Sequence, residues 1–114
     1  MNFGAPLAFG SDAPVESPNP FWGLYAAVTR KRADASDSEP AWFSDQALTL
    51  SEAFAAYTFG AAYAANAEYR LGKLAEKYHA DLIVLDVDPF EIPSKDLLTL
   101  TANSVMINGD WVLQ

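Results

Sequence analysis

The stretch Pro6-Leu7-Ala8-Phe9-Gly10-Ser11-Asp12 sets a short apolar run directly against a polar turn. That is the pattern of a buried strand whose end presents a carboxylate. A strand with two apolar faces needs neighbours, and few later segments could flank it. The chain therefore reads either as a small α+β domain or as the tail of a larger α/β protein.

Working outward, Ser17-Pro18-Asn19-Pro20 supplies a helix start, with Asn19 as N-cap and Pro20 at the first helical position, where its missing amide hydrogen costs nothing. Phe21, Leu24, Tyr25 and Val28 follow at i, i+3, i+4 and i+7, which lays one apolar stripe along the helix. Arg30, Lys31 and Arg32 close it with cations that suit the negative end of the helix dipole. Residues 33–40 carry Asp34, Ser36, Asp37, Ser38 and Glu39 with no large apolar side chain and read as a solvated loop.

Thr49-Leu50-Ser51-Glu52 predicts a capping box opening a second helix. The small residues from Gly60 to Ala67 continue or restart it, with Thr58 a candidate cap. Gly72 punctuates the chain before Leu82-Ile83-Val84-Leu85, a continuous apolar run suited to a strand covered on both faces. Pro93 to Leu98 predicts a short helical turn. Val105 and Ile107 alternate with polar neighbours, and Asn108-Gly109 then predicts a hairpin, because a type I′ turn needs positive φ at both central residues.

With 114 residues the chain fits one modest domain. Hydrophobic residues at 51% and aromatics at 13% suit a packed core and argue against a disordered tail. Seven basic against fifteen acidic residues give a net charge of -8, which repels phosphate backbones and argues against nucleic acid as a partner. The absence of cysteine removes disulfides, thiolate metal sites and a cysteine nucleophile together. One histidine cannot supply a three-histidine zinc site or an H-E-x-x-H helix. Met1 to Gly10 lacks the cationic start of a secretory signal, and no run approaches the ~18–20 apolar residues that span a bilayer. The expectation is a cytoplasmic chain without a membrane partner.

Among candidate functional residues Asp12 comes first, since α/β folds place reactive groups at the ends of buried strands. A turn or cap role, in which the carboxylate only satisfies backbone amides, competes with catalysis. His79 has no second histidine or cysteine beside which to bind a metal and reads as a surface or strand-edge residue. Asp81 and Asp86 bracket four apolar strand residues, too far apart at ~3.3 Å per residue to share one ion, and with Asp88 they read as capping and turn residues. Trp22, Tyr25, Phe54, Tyr57, Phe59 and Tyr63 fall at helical spacings, with core packing as their default role and ligand stacking as the lesser one.

Several segments taken together resemble a known family. Leu7-Ala8-Phe9-Gly10-Ser11-Asp12-Ala13-Pro14-Val15, followed by Asn19-Pro20-Phe21 and Ala26-Ala27-Val28-Thr29-Arg30, is similar to the last barrel strand and following helix of amidohydrolase family 3, the YtcJ-like metal-dependent hydrolases. Leu48-Thr49, Glu52-Ala53, Ala56-Tyr57-Thr58 and Gly60-Ala61-Ala62-Tyr63-Ala64 resemble its two closing helices. Leu71-Gly72 and Ala80-Asp81-Leu82-Ile83-Val84-Leu85-Asp86 resemble its return into a β-sandwich, and Val105 to Val112 its last strands. A departure stands at Lys77-Tyr78-His79, where the family has Gly-Lys and an apolar residue.

The resemblance implies an α/β parent, a (β/α)8 barrel with a flanking sandwich. Residues 1–70 would hold the last barrel strand and closing helices, and 71–114 the returning sandwich strands; the isolated chain would be a small α+β unit. The implied activity is hydrolysis of non-peptide C–N bonds in small amides, formamides or cyclic imides. Asp12 matches the family's aspartate after the eighth strand, implied to hold or deprotonate a metal-bound water and return the proton to the leaving nitrogen. It is also the one residue here that the resemblance offers as a metal ligand. Pro14 and Val15 would begin the substrate loop. The implied cofactor is a divalent ion, zinc by expectation, held by histidines on earlier strands that have no counterpart here. The chain alone is therefore expected neither to bind metal tightly nor to catalyse, to expose the stripe of Phe21, Leu24 and Val28, and to associate with itself or with the rest of the barrel. The competing reading is a free-standing α+β interaction module, or one subunit of a split enzyme.

Overall fold

The computed structural model describes residues 4–114; the part of the N-terminal reading that falls on Met1 to Phe3 lies outside them. Helix α1 runs Pro20–Thr29 and starts as its sequence demands. The Asn19 side chain accepts from the Phe21 amide at 3.0 Å, and Pro20 fills the first helical position. It ends at Arg30, whose left-handed backbone (φ 57°) lets its amide close onto the Ala26 carbonyl at 2.9 Å. Lys31 and Arg32 thus lie beyond the helix.

Helix α2, Leu50–Ala55, opens with the capping box. The Thr49 hydroxyl accepts from the Glu52 amide at 3.3 Å, and the Glu52 carboxylate accepts from the Thr49 amide at 2.8 Å. The helix passes through one π turn, Ala56–Gly60, into α3, Ala61–Ala64. Thr58 is no cap: its hydroxyl donates to the Phe54 carbonyl at 2.8 Å within the helix.

An antiparallel sheet of three strands follows, in the order β1 (Leu82–Val84), β2 (Ser104–Ile107), β3 (Asp110–Leu113), with Ile83 opposite Val105 and Met106 opposite Trp111. Asn108 (φ 52°) and Gly109 (φ 88°) make the expected hairpin turn. The tip is tied back to the start of β1, where Asp81 accepts from the Asn108 amide and Ala80 from the Gly109 amide. A 3₁₀ helix, Ser94–Thr99, lies between β1 and β2 and packs on α1.

The core is where these elements meet: Phe21, Leu24, Tyr25 and Ala27 of α1 against Ala53 of α2 and Leu97 and Leu100 at the 3₁₀ helix. Three expectations change as a result. The α1 stripe is not exposed; Phe21 and Leu24 are 5% and 2% accessible because the 3₁₀ helix and α2 cover them. Pro6 to Phe9 form no strand: the segment is partly solvated, and the Phe9 amide donates to the Ala56 carbonyl at 3.0 Å instead of to a sheet neighbour. Strand β1 lacks the cover on both faces that was expected, and Ile83 and Val84 stay 46% and 41% exposed, because the sheet has no layer packed over it among the described residues. The architecture is a small α+β unit.

Candidate functional site

Asp12 stands on an exposed turn, with the Val15 amide donating to its backbone carbonyl at 2.9 Å. Its left-handed backbone (φ 53°) is one that aspartate tolerates better than most residues. The base of this turn is fixed. Besides the Phe9 amide bond to Ala56, the Phe9 ring meets Tyr57 edge-on at 5.5 Å between centroids. The Leu7 carbonyl lies where a side chain on Gly60 would be, so only glycine lets the segment cross the π turn this closely. The Asp12 carboxylate makes no hydrogen bond among the described residues, so the amide-capping role weighed against catalysis is not one it plays there. The sheet-rim setting expected for it is absent, since no strand precedes it. Pro14 and Val15 continue the turn into solvent, with Val15 74% exposed.

Beside that turn lies a cleft of about 610 Å³, within the range of small-molecule sites. Gly10 and Ser11, immediately before Asp12, form one side; Trp22 and Gly23 of α1, Tyr57 of the π turn and Trp42 of the returning loop line the rest. The loop folds back because the Trp42 amide donates to the Arg30 carbonyl at 2.9 Å and the Leu48 amide to the Ala27 carbonyl at 3.0 Å. The rim carries Arg30, Lys31 and Arg32 against Glu16, Asp34 and Glu39, a local balance in a chain of net charge -8. The Arg32 side chain, bonded to Asp34 at 2.9 Å, holds the Asp34 carboxyl below its ordinary range. Burial pushes the Tyr57 phenol above its ordinary value.

The remaining candidates serve the scaffold. Asp86 accepts from the Asn103 side-chain amide at 2.7 Å and Asp88 from the Phe90 amide at 2.9 Å, which with Asp81 makes all three turn and capping residues. His79 is partly buried, its amide bonded to the Arg70 carbonyl at 2.9 Å. Of the six aromatics expected in the core, Tyr25 is buried and Phe54 and Tyr57 pack on its edge, while Trp22, Phe59 and Tyr63 are exposed. The π turn explains part of this: one extra residue per turn rotates Phe59 and Tyr63 away from the stripe that α2 begins. The cleft is therefore a feature that periodicity missed. The signal available was the Trp22, Tyr57 and Trp42 set, but Trp42 lies in a loop whose return could not be foreseen.

Among the described residues no three His, Cys, Asp or Glu side chains converge on one point. One carboxylate on a turn is not a donor set that holds a divalent ion, so the residues here do not fit the metal centre that the resemblance implies.

Comparison with known proteins gives the class: the chain belongs to the amidohydrolase family, which it matches over residues 1–113. It is 38% identical over 111 residues to the YtcJ protein of Bacillus subtilis (strain 168), covering 97% of this chain and 21% of that one. Protein LONG AFTER FAR-RED 3 of Arabidopsis thaliana is 33% identical over 97 residues, covering 85% of this chain and 16% of its own length. The N-substituted formamide deformylase of Arthrobacter pascens is 28% identical over 109 residues, 96% of this chain and 19% of that enzyme. The chain thus spans about a fifth of the length of these curated relatives. No solved structure matches it.

Proposed function

We propose that this chain is the C-terminal portion of a hydrolase acting on non-peptide C–N bonds of small amides or formamides, with residues 1–70 closing a barrel and 71–114 returning into a sandwich. Asp12 is its reacting group. Its carboxylate accepts a proton as a water oxygen bonds to the carbonyl carbon, and returns a proton to the nitrogen as the C–N bond breaks. Pro14 and Val15 start the loop that borders the substrate. The divalent ion belongs to the part of the enzyme outside these residues, and no step assigned to this chain runs through it. Cytoplasmic location is part of this reading, supported by a cysteine-free composition; no helix among the described residues is long and apolar enough to cross a membrane.

The observation that carries the proposal is the family match over residues 1–113, joined to a carboxylate that makes no hydrogen bond among the described residues, on a turn fixed at its base. The buried stripe of Phe21 and Leu24 favours a unit able to fold on its own contacts, which is what a free-standing module would also need. Enzymology separates the two. Substituting residues 1–114 for the aligned segment of the Arthrobacter pascens deformylase should give a chimera that releases formate from an N-substituted formamide, while the 114-residue chain alone releases none. Formate release by the chain alone, or an inactive chimera that folds, would contradict the proposal.

A further inference from the structure

The cleft beside Asp12 is lined by the aromatic rings of Trp22, Trp42 and Tyr57, of which Trp42 is 72% exposed. The Trp22 indole N–H donates to the Leu98 carbonyl at 3.2 Å, which pins the ring across 76 residues of sequence. Trp42 is held from both sides of its peptide: its amide donates to the Arg30 carbonyl at 2.9 Å, and its carbonyl accepts from Arg30 Nε at 3.1 Å. The Arg30 guanidinium lies 6.0 Å from the Trp42 ring centroid, within the reach of a cation–π contact. A ring anchored as Trp22 is loses little freedom when a flat ligand lies against it.

Two features leave room and polarity for such a ligand. Gly23 has no side chain, and a methyl there would collide with the Tyr57 hydroxyl, so the hydroxyl sits directly over the bare helix face. That hydroxyl lines the cleft and has no hydrogen-bond partner among the described residues. A phenol is protonated at neutral pH and burial shifts it further the same way, so the hydroxyl is a donor. Charge does not select the ligand's sign, because the three cations of the rim face three carboxylates. A neutral ligand fits that balance: a planar ring to lie on the indoles, and a carbonyl oxygen to accept from Tyr57.

We propose that this cleft is a binding site for neutral aryl amides, with Trp22 and Trp42 holding the ring and the Tyr57 hydroxyl donating to the carbonyl. The choice of an amide rests on the hydrolase reading; the aromatic walls and the free hydroxyl do not. Gly10 and Ser11 line this cleft and directly precede Asp12 in the chain, which puts it next to the turn of the proposed reacting carboxylate.

The test is equilibrium binding, not turnover, so that it stands or falls apart from the hydrolysis assay. Calorimetric titration of the 114-residue chain with 2-naphthamide should show saturable one-to-one binding, with a Kd of about 1 mM or tighter for a ligand of this size. Cyclohexanecarboxamide, which keeps the amide but not the flat ring, should bind at least about five-fold more weakly. Tyr57→Phe should weaken 2-naphthamide about five-fold, and Gly23→Ala, which pushes the hydroxyl aside and fills the floor, about ten-fold or more. Circular dichroism establishes that each variant keeps the parent fold. Trp111→Phe, on the hairpin away from the cleft lining, should bind like the parent. No saturation by 2-naphthamide, equal binding of the saturated ring, or parent-like binding by folded Tyr57→Phe and Gly23→Ala chains would each overturn the proposal.

Discussion

Lys77 holds a left-handed backbone, φ 73°, in the segment that leads to His79 and β1. A lysine there costs on the order of 1 kcal/mol, because its Cβ crowds the following carbonyl in that conformation. The departure Lys77-Tyr78-His79, where the related family has Gly-Lys and an apolar residue, therefore falls on a position whose geometry favours glycine. Lys77→Gly should raise unfolding free energy by about 0.5–1 kcal/mol, read as a shift in the urea midpoint at unchanged slope. An unchanged or lowered midpoint would mean that the turn is not strained by its side chain. The same scale shows what one residue can and cannot tell. That Asp12 would follow an apolar run and end on a turn was readable from Gly10-Ser11-Asp12. That its carboxylate would find no backbone partner among the described residues was not, because turn chemistry depends on where each amide points.

Single elements were most readable where the reason for them is local. Asn19-Pro20, Thr49 to Glu52 and Asn108-Gly109 each specify a cap or a turn through atoms within a few residues, and each forms as expected. Pro6 to Phe9 form no strand, and Leu82 to Leu85 supply the expected strand β1 without the expected cover, for the opposite reason. A strand is defined by neighbours, and an apolar run cannot reveal whether a sheet or a layer will be there to cover it. The π turn at Ala56–Gly60 has no sequence signature at all in an alanine-rich helix, and it holds Tyr57, which lines the cleft.

The capping box also carries a pH dependence. Hydrogen bonding from the Thr49 amide holds the Glu52 carboxyl below its ordinary value of 4.5. A carboxyl depressed in the folded state stabilises fully above its unfolded value, and that contribution fades as pH falls through the folded one. Glu52→Gln, which removes the charge and keeps an acceptor, should lower Tm at pH 7, and the gap from the parent should be smaller at pH 3. A gap that is the same at both pH values would assign the effect to something other than ionised Glu52.

At the scale of the whole molecule, the helices are joined by one core centred on Leu24 and Leu97, which are 2% and 1% accessible, and the sheet is an exposed appendage to it. Trp111, Val112 and Leu113 of β3 and Ile83 and Val84 of β1 remain largely in contact with solvent, an amount of apolar surface that suits a unit built to be covered. The class of fold was readable as α+β because helices and strands are segregated along the sequence. The placement of the cleft was not, since Gly10, Trp22, Trp42 and Tyr57 come from four segments that only packing brings together.

The central claim is that the Asp12 carboxylate moves the proton in C–N bond hydrolysis, and the direct test is the rate of the deformylase chimera carrying Asp12→Asn. The account predicts that kcat for formate release falls by about 10²- to 10⁴-fold while KM and the circular dichroism spectrum stay near those of the parent chimera. A kcat within a few-fold of the parent's would contradict it.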